Sequence, residues 1–305
     1  MGTPEFAVPA LDALIHSEHE IVGVFAQPDE PAGRGRSVVS PPVKKLALQH
    51  RLTVHQPPSL RRSCEMERLA SLQPDVVVVA AYGKILPESF LQVPPRGCLN
   101  IHASLLPRHR GPSPIAAAIL AGDEVTGVTI MMVTKVMDTG PILTQRRIPI
   151  LPHDTTGSLF QKLSDLGADL LMETLPQWLD GKLTPQPQDN DKATCCKMIT
   201  KEDGLIDWHR PAVELWRRVR AFQPWPGCHT TWQGHTLKII EVVPLSGEGT
   251  PGQVIATNYE QAAVGVQTGE GVLSLVQVQL EGKRVMSSAE FIRGQRDFIG
   301  AQLPS

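Results

Sequence analysis

Cysteine is scarce and unpatterned in this 305-residue chain. Cys64, Cys98, Cys195, Cys196 and Cys228 are odd in number, show no C-x-x-C spacing and have no paired histidines beside them. That argues against a disulfide framework and against a zinc site, and it reads as reduced thiols in a cytoplasmic protein. Long apolar runs are missing too. No stretch approaches about 18 uninterrupted apolar residues, and no basic region followed by an apolar one opens the chain. Neither membrane spanning nor secretion is expected. An excess of charge of one sign is also lacking. The formal net charge is -2 and the isoelectric point is near 6.6, so there is no global electrostatic footprint for DNA or RNA. Any polyanion partner must be met by a local patch. No G-x-G-x-x-G and no G-x-x-x-x-G-K-[ST] opens a helix, which removes the main support for nicotinamide or P-loop chemistry. No G-x-S-x-G surrounds Ser104, which leaves little for a serine hydrolase.

What is present is an ordinary globular composition, 41% hydrophobic and 20% charged, on a chain long enough for two domains. The first half alternates. Helical "PALDALIHS" gives way to β-branched "EIVGVFA", then to a Pro, Gly and Arg loop, then to a helix over residues 43–50, the short "LTVHQ", helical "RRSCEMERLASL" and apolar "DVVVVAA". Near-continuous apolar strands alternating with helices predict a doubly wound, mostly parallel α/β sheet covered on both faces. Strands at "GCLNIH" and "GVTIMMVTKV", a helix over residues 114–121 and a long amphipathic helix closing at Gly181 complete a first domain over residues 1–182. Polar, Pro-bearing residues 183–204 read as a linker. Residues 205–305 change character: one helix, then short strands separated by Gly-rich turns, then a final helix at "SAEFIRGQRDFI", the pattern of a small OB-like β-barrel.

The front of the chain departs from this scheme. Doubly wound sheets usually open with a central strand that feeds a glycine turn and helix, yet "MGTPEF" begins at the turn. The central strand is expected to be missing, and a chain longer by about 8 upstream residues is expected to be the soluble, active one, because a lost strand leaves a ladder of hydrogen bonds unmade.

The stretch "CLNIHASLLPRHRG" breaks the pattern of packing residues. In a strand, residues i and i+2 share a face, so Asn100 and His102 project side by side while Ile101 packs behind them. They stand at a strand's carboxyl end, where open α/β sheets place ligand crevices. Asp138 follows the next strand, in "MDTGP". An N-x-H pair alone is an ordinary core arrangement, and an Asp before Thr-Gly is an ordinary turn residue. Together the three suit acyl transfer without a covalent enzyme intermediate. The amide can meet an oxyanion, the imidazole can manage the proton of an attacking amine, and the carboxylate can orient and charge the imidazole.

In this order, "MGTPEFAVPAL", "QPDEPAGRGR", "AAYGKILP", "NIHASLLPRHRGPSPI", "GVTIMM", "MDTGPIL" and "RAFQPWPG" resemble bacterial methionyl-tRNA formyltransferases, over essentially the whole chain. The resemblance implies transfer of a formyl group from 10-formyltetrahydrofolate to the α-amine of initiator methionyl-tRNA, without metal. It implies that Asn100, His102 and Asp138 are catalytic. By the same resemblance Ser104, Leu105, Leu106 and Pro107 contact the reduced folate, and Tyr82, Gly83, Ile85 and Leu86 wall its pterin through backbone groups. Arg34, Gly35 and Arg36 would approach the acceptor end of the tRNA; Arg217 and Arg218 read either as a solvated helix face or as phosphate contacts, and the protein is expected to be a monomer. The three catalytic residues are shared by other users of this folate, so a formyltransferase for an amino sugar nucleotide stays open, as does a tRNA-binding protein without catalysis. From Leu205 onward nine Lys or Arg face nine Asp or Glu, so the C-terminal domain is not basic overall.

Overall fold

The apolar runs of the first half become short strands in a computed structural model of the chain, which describes residues 1–32 and 37–305. In chain order these are α1 (Val8–Ile15), β1 (Val24–Phe25), β2 (Glu30–Ala32), β3 (Ser37–Val39), α2 (Pro42–Gln49), β4 (Val54–His55), α3 (Ser63–Ser71), β5 (Val77–Ala80), α4 (Glu88–Leu91) and β6 (Cys98–His102). Then follow α5 (Pro114–Ala121), β7 (Val125–Met132), β8 (Ile142–Pro149) and α6 (Thr156–Leu179). Prolines at the first positions of α1 and α2 fit helix starts, where the missing N–H costs nothing. The left-handed Gly181 ends α6 where the sequence places the stop.

β1 pairs with β4 in parallel, and β5 with β6 in parallel. β7 runs antiparallel to β6, and β8 antiparallel to β7. With the parallel bridge between Gly2 and Ala80, the first unit is a mostly parallel, Rossmann-like sheet whose far edge turns antiparallel. β8 was not foreseen in the sequence. Its residues alternate between more and less buried, as in a strand with one solvated face, and its charged Arg146 and Arg147 hide that pattern. Phe25, Leu69, Val77, Val79, Tyr82 and Phe90 form a core cluster on this unit.

The place of a central strand, between β1 and β5, is held by Met1 and Gly2 alone. Gly2 N donates to Phe25 O at 3.0 Å, and Ala80 N donates to Met1 O at 2.9 Å. The Met1 amine donates to Val78 O at 2.7 Å. Beside them lies a cavity of about 310 Å³, lined by Leu14, Val22, Val24, Leu69, Val76 and Val78 among others. Burial pushes the amine down to about 6.

The remaining elements are α7 (Ala212–Ala221), β9 (Cys228–Trp232), β10 (His235–Leu245), β11 (Val254–Tyr259), β12 (Ala262–Gln267), β13 (Val272–Leu280), β14 (Met286–Ser287) and α8 (Ser288–Gly294). The strands pair antiparallel in the order β11-β12-β13-β10-β9, with β14 on β13, an OB-like arrangement. Gln233 and Gly234, both at positive φ, make the two-residue turn of the β9–β10 hairpin. Trp232, Phe291 and Phe298 meet edge to face at 5.0 to 5.7 Å.

Two compact units share the chain: Met1–Pro114, Val125–Pro149 and Phe160–Cys196 make one, and Ile115–Glu124, Ile150–Leu159 and Lys197–Ser305 make the other. The sequence reading draws linear boundaries at 182 and 204. The units instead place residues 183–196 with the first, because main-chain bonds from this stretch reach Ile142, Pro107 and Arg110. Among the described residues no helix is long and apolar enough to cross a membrane, and all five cysteines are free.

Candidate active site

Period-two geometry places Asn100 and His102 on one face of β6, and Ile101 behind them. Ile101 packs on α6 at Gly167, where an added Cβ would stand 2.7 Å from Ile101 Cγ2, so the helix lies close against the strand only because that residue is glycine. His102 is buried. Asn100 is half-buried and makes no side-chain hydrogen bond among the described residues.

His102 is held at both ring nitrogens. Its Nε2 lies 3.1 Å from His109 O, and since a carbonyl only accepts, Nε2 carries a proton. Its Nδ1 faces Asp138 Oδ1 at 3.6 Å, an ion-pair distance longer than a hydrogen bond. The other carboxylate oxygen of Asp138, Oδ2, accepts from Gly111 N at 2.9 Å. Burial pulls the His102 imidazole below its ordinary pKa; Asp138 and His109 O oppose that shift without reversing it.

Asp138 arrives by a route the sequence does not suggest. It follows the carboxyl end of β7, but β7 is antiparallel to β6, so that end lies beside the start of β6, where Val133 N donates to Cys98 O at 2.7 Å. The turn over residues 133–140 then folds back to bring the carboxylate to His102. Gly140 makes the return possible: a Cβ there would stand 1.8 Å from Met132 O. Asp138 itself is left-handed at φ 53.

The loop after β6 is fixed from β7 and β8. Thr129, opposite His102 in register, donates to Ser104 O at 2.6 Å and accepts from Leu106 N at 3.1 Å. Gln145 Nε2 donates to both Thr129 Oγ1 and Leu106 O. Ser104 Oγ donates to Arg108 O, so Ser104 and Leu106 are bonded within the protein while Leu105 and Pro107 stay half-exposed. In the loop after β5, Tyr82 and Leu86 are buried in the core cluster, the Tyr82 phenol is pushed up to about 12 by burial, and Tyr82 O accepts from Thr3 and Gln27. Gly83 is left-handed, and a Cβ there would meet Gln27 Nε2 at 2.6 Å. Ile85 is 68% exposed. An exposed apolar side chain of this kind has the chemistry to cover a flat heteroaromatic ring.

Arg34, Gly35 and Arg36 lie outside the described residues. Arg217 and Arg218 stand on α7, half-exposed; Arg218 donates to Asp203 O at 2.7 Å and stacks on Phe222, while Arg217 covers Gly122. No group of three or more His, Cys, Asp or Glu that could hold a metal occurs among the described residues.

Sequence reasoning missed the stretch that buttresses this site. Arg110 N donates to Thr194 O and Cys196 N to Arg110 O, both at 2.8 Å. His109 N donates to Thr194 Oγ1 at 2.9 Å, and Gln188 bonds Arg110, Asp138 and Gly140. These residues carry no periodicity; their Gln, Asn and Thr content was the only signal, and it reads equally as a solvated linker.

Residues 1–175 match the formyl transferase family and residues 198–296 its C-terminal domain. A methionyl-tRNA formyltransferase of Chloroflexus aurantiacus is 49% identical over 296 residues, 96% of this chain and 95% of the relative. Another, from Dehalococcoides mccartyi, is 49% identical over 304 residues, 99% of this chain and 96% of the relative. Among solved structures, a Helicobacter canadensis N-formyltransferase in complex with folinic acid and dTDP-3-aminofucose shares the fold at TM-score 0.66 and 17% identity, over 90% of this chain and 97% of that one. By near full-length identity to these relatives and by both domain matches, the chain belongs to the methionyl-tRNA formyltransferase family.

Proposed function

We propose that this chain transfers the formyl group of 10-formyltetrahydrofolate to the free α-amine of methionyl initiator tRNA, as a monomer in the cytoplasm. The observation that carries the reading is the convergence of Asn100, His102 and Asp138 in a chain half identical to methionyl-tRNA formyltransferases.

The donor supplies an activated formyl carbon and departs as tetrahydrofolate. The protein's part is binding, charge and proton traffic. Leu105, Pro107 and Ile85 cover the ring system, with main-chain groups of Gly83 at its edge. Asn100, unpartnered among the described residues, donates an amide N–H to the formyl oxygen as negative charge develops there. Because Nε2 is committed to His109 O, the atom of His102 free to accept a proton is Nδ1. His102 is neutral near pH 7 by virtue of its burial, so it takes the proton that the amine sheds as the new C–N bond forms. Asp138 steadies the imidazolium across 3.6 Å. The imidazolium then returns that proton to the departing folate nitrogen as the old C–N bond breaks. No nucleophilic side chain is required. On the tRNA side the same reading gives Arg34, Gly35 and Arg36 the acceptor end and Arg217 a phosphate contact, while Arg218 is engaged by Asp203 O and Phe222.

The test follows label from 10-formyltetrahydrofolate to charged initiator tRNA. Transfer is expected, with His102→Ala and Asn100→Ala each lowering kcat by about 10²- to 10⁴-fold. Label reaching an amino sugar nucleotide but not tRNA would replace the acceptor; full activity of His102→Ala would remove the assigned base.

A further inference from the structure

A ring of hydrogen bonds around His102 closes through a side chain with no part in the chemistry above. Gln188 Nε2 donates to Asp138 O at 2.9 Å and to Gly140 O at 2.8 Å. Its Oε1 accepts from Arg110 Nε at 2.9 Å. The three partners settle the amide's orientation, because two are carbonyls and one is a guanidinium. From Arg110 the ring continues along the chain to Gly111, whose N–H holds Asp138 Oδ2, and from Asp138 it returns to Gln188.

Both atoms that address the imidazole are therefore set by one amide. The carboxylate facing Nδ1 belongs to the turn that Gln188 grips at residues 138 and 140. The carbonyl facing Nε2 belongs to His109, next to the Arg110 that Gln188 also grips. A grip is needed here. A left-handed Asp at φ 53 persists only where its surroundings over-determine it, and the 3.6 Å separation between Asp138 and His102 has no direct hydrogen bond to maintain it. Gln188 is half-buried, and a second anchor, Arg110 Nη2 to Asn190 Oδ1 at 2.9 Å, keeps its partner aligned.

We propose that Gln188 is a positioning residue for formyl transfer, acting through Asp138 on His102. The proposal rests on the catalytic reading of Asn100, His102 and Asp138. It touches neither substrate, so it shows itself in kcat and in the imidazole's protonation.

Gln188→Leu keeps an apolar branched side chain one atom shorter and removes all three bonds. Gln188→Glu keeps an acceptor for Arg110 and removes both donors to the turn. Each variant is expected to lower kcat about 10- to 100-fold, the scale of a small misplacement of a catalytic group, and to leave KM for tRNA and for the formyl donor within about threefold of the parent. In Gln188→Leu, which adds no charge, the NMR titration of the His102 ring is expected to move to lower pH, since a displaced Asp138 supports the imidazolium less. On an Asp138→Asn background, adding Gln188→Leu is expected to change kcat less than twofold, because residues acting in series are not additive. A full further loss on that background, or parental kcat in Gln188→Glu, would overturn the role assigned to Gln188. Parental activity of Asp138→Asn alone would instead overturn the catalytic reading, so the two failures are separable.

Discussion

At the scale of single residues, His102 is a balance between burial and one carboxylate. Burial disfavours the imidazolium; Asp138 and the His109 carbonyl favour it; burial prevails. The sign for folding follows. The folded state binds the proton more weakly than the unfolded chain, so this group's contribution to stability is full above about pH 6.5 and is lost as pH falls through the lowered folded value. Its ring resonance is expected to titrate below 6.5, and Asp138→Asn, which removes the main opposing charge, is expected to move the midpoint lower still. A midpoint moving upward in that variant would show that Asp138 does not act on the ring. The N-x-H spacing was legible because a strand's period is two. The groups that hold the ring were not, since His109 O and Gly111 N are main-chain atoms, and a backbone contact leaves no mark in residue type. Gln188 was hidden differently, as one amide among several in a stretch without periodicity.

At the scale of elements, helices over apolar periodic segments were legible to within a few residues: α5 and the end of α6 stand where expected. The alternating strand β8 was not, because adjacent arginines, Arg146 on the less exposed face and Arg147 on the more exposed one, mask the pattern. In the sheet, Met1 and Gly2 bridge β1 and β5 beside a cavity. In a chain whose first residue is Met1, that bridge buries an amine and lowers its pKa from 8.0 to about 6. Between those values the unfolded chain holds a proton that the folded one does not. Stability is therefore full above pH 8 and declines as pH falls toward 6, by roughly 2–3 kcal/mol at about 1.4 kcal/mol per pKa unit. Urea unfolding at pH 6 and pH 8.5 measures it, and the difference is expected to shrink in the same chain with an acetylated Met1. An unchanged difference after acetylation would assign the effect to other groups.

At the scale of the whole molecule, charge sets how tRNA can be held. The chain carries -2 overall, so long-range attraction supplies little, and affinity must come from a few local cations against individual phosphates. Arg34, Arg36 and Arg217 are the first candidates, because Arg218 already donates to Asp203 O and stacks on Phe222. If about five phosphates are neutralised, the logarithm of the tRNA association constant should fall with the logarithm of salt concentration at a slope of roughly -4. Replacing one phosphate-binding arginine should reduce that slope by about 1, whereas replacing Arg218 should lower thermal stability and leave the slope unchanged. A slope near zero in the parent would mean that recognition rests on shape and apolar contact. An equal reduction from Arg217→Ala and Arg218→Ala would place both on the tRNA, and would require the Arg218 guanidinium to leave the Asp203 carbonyl on binding.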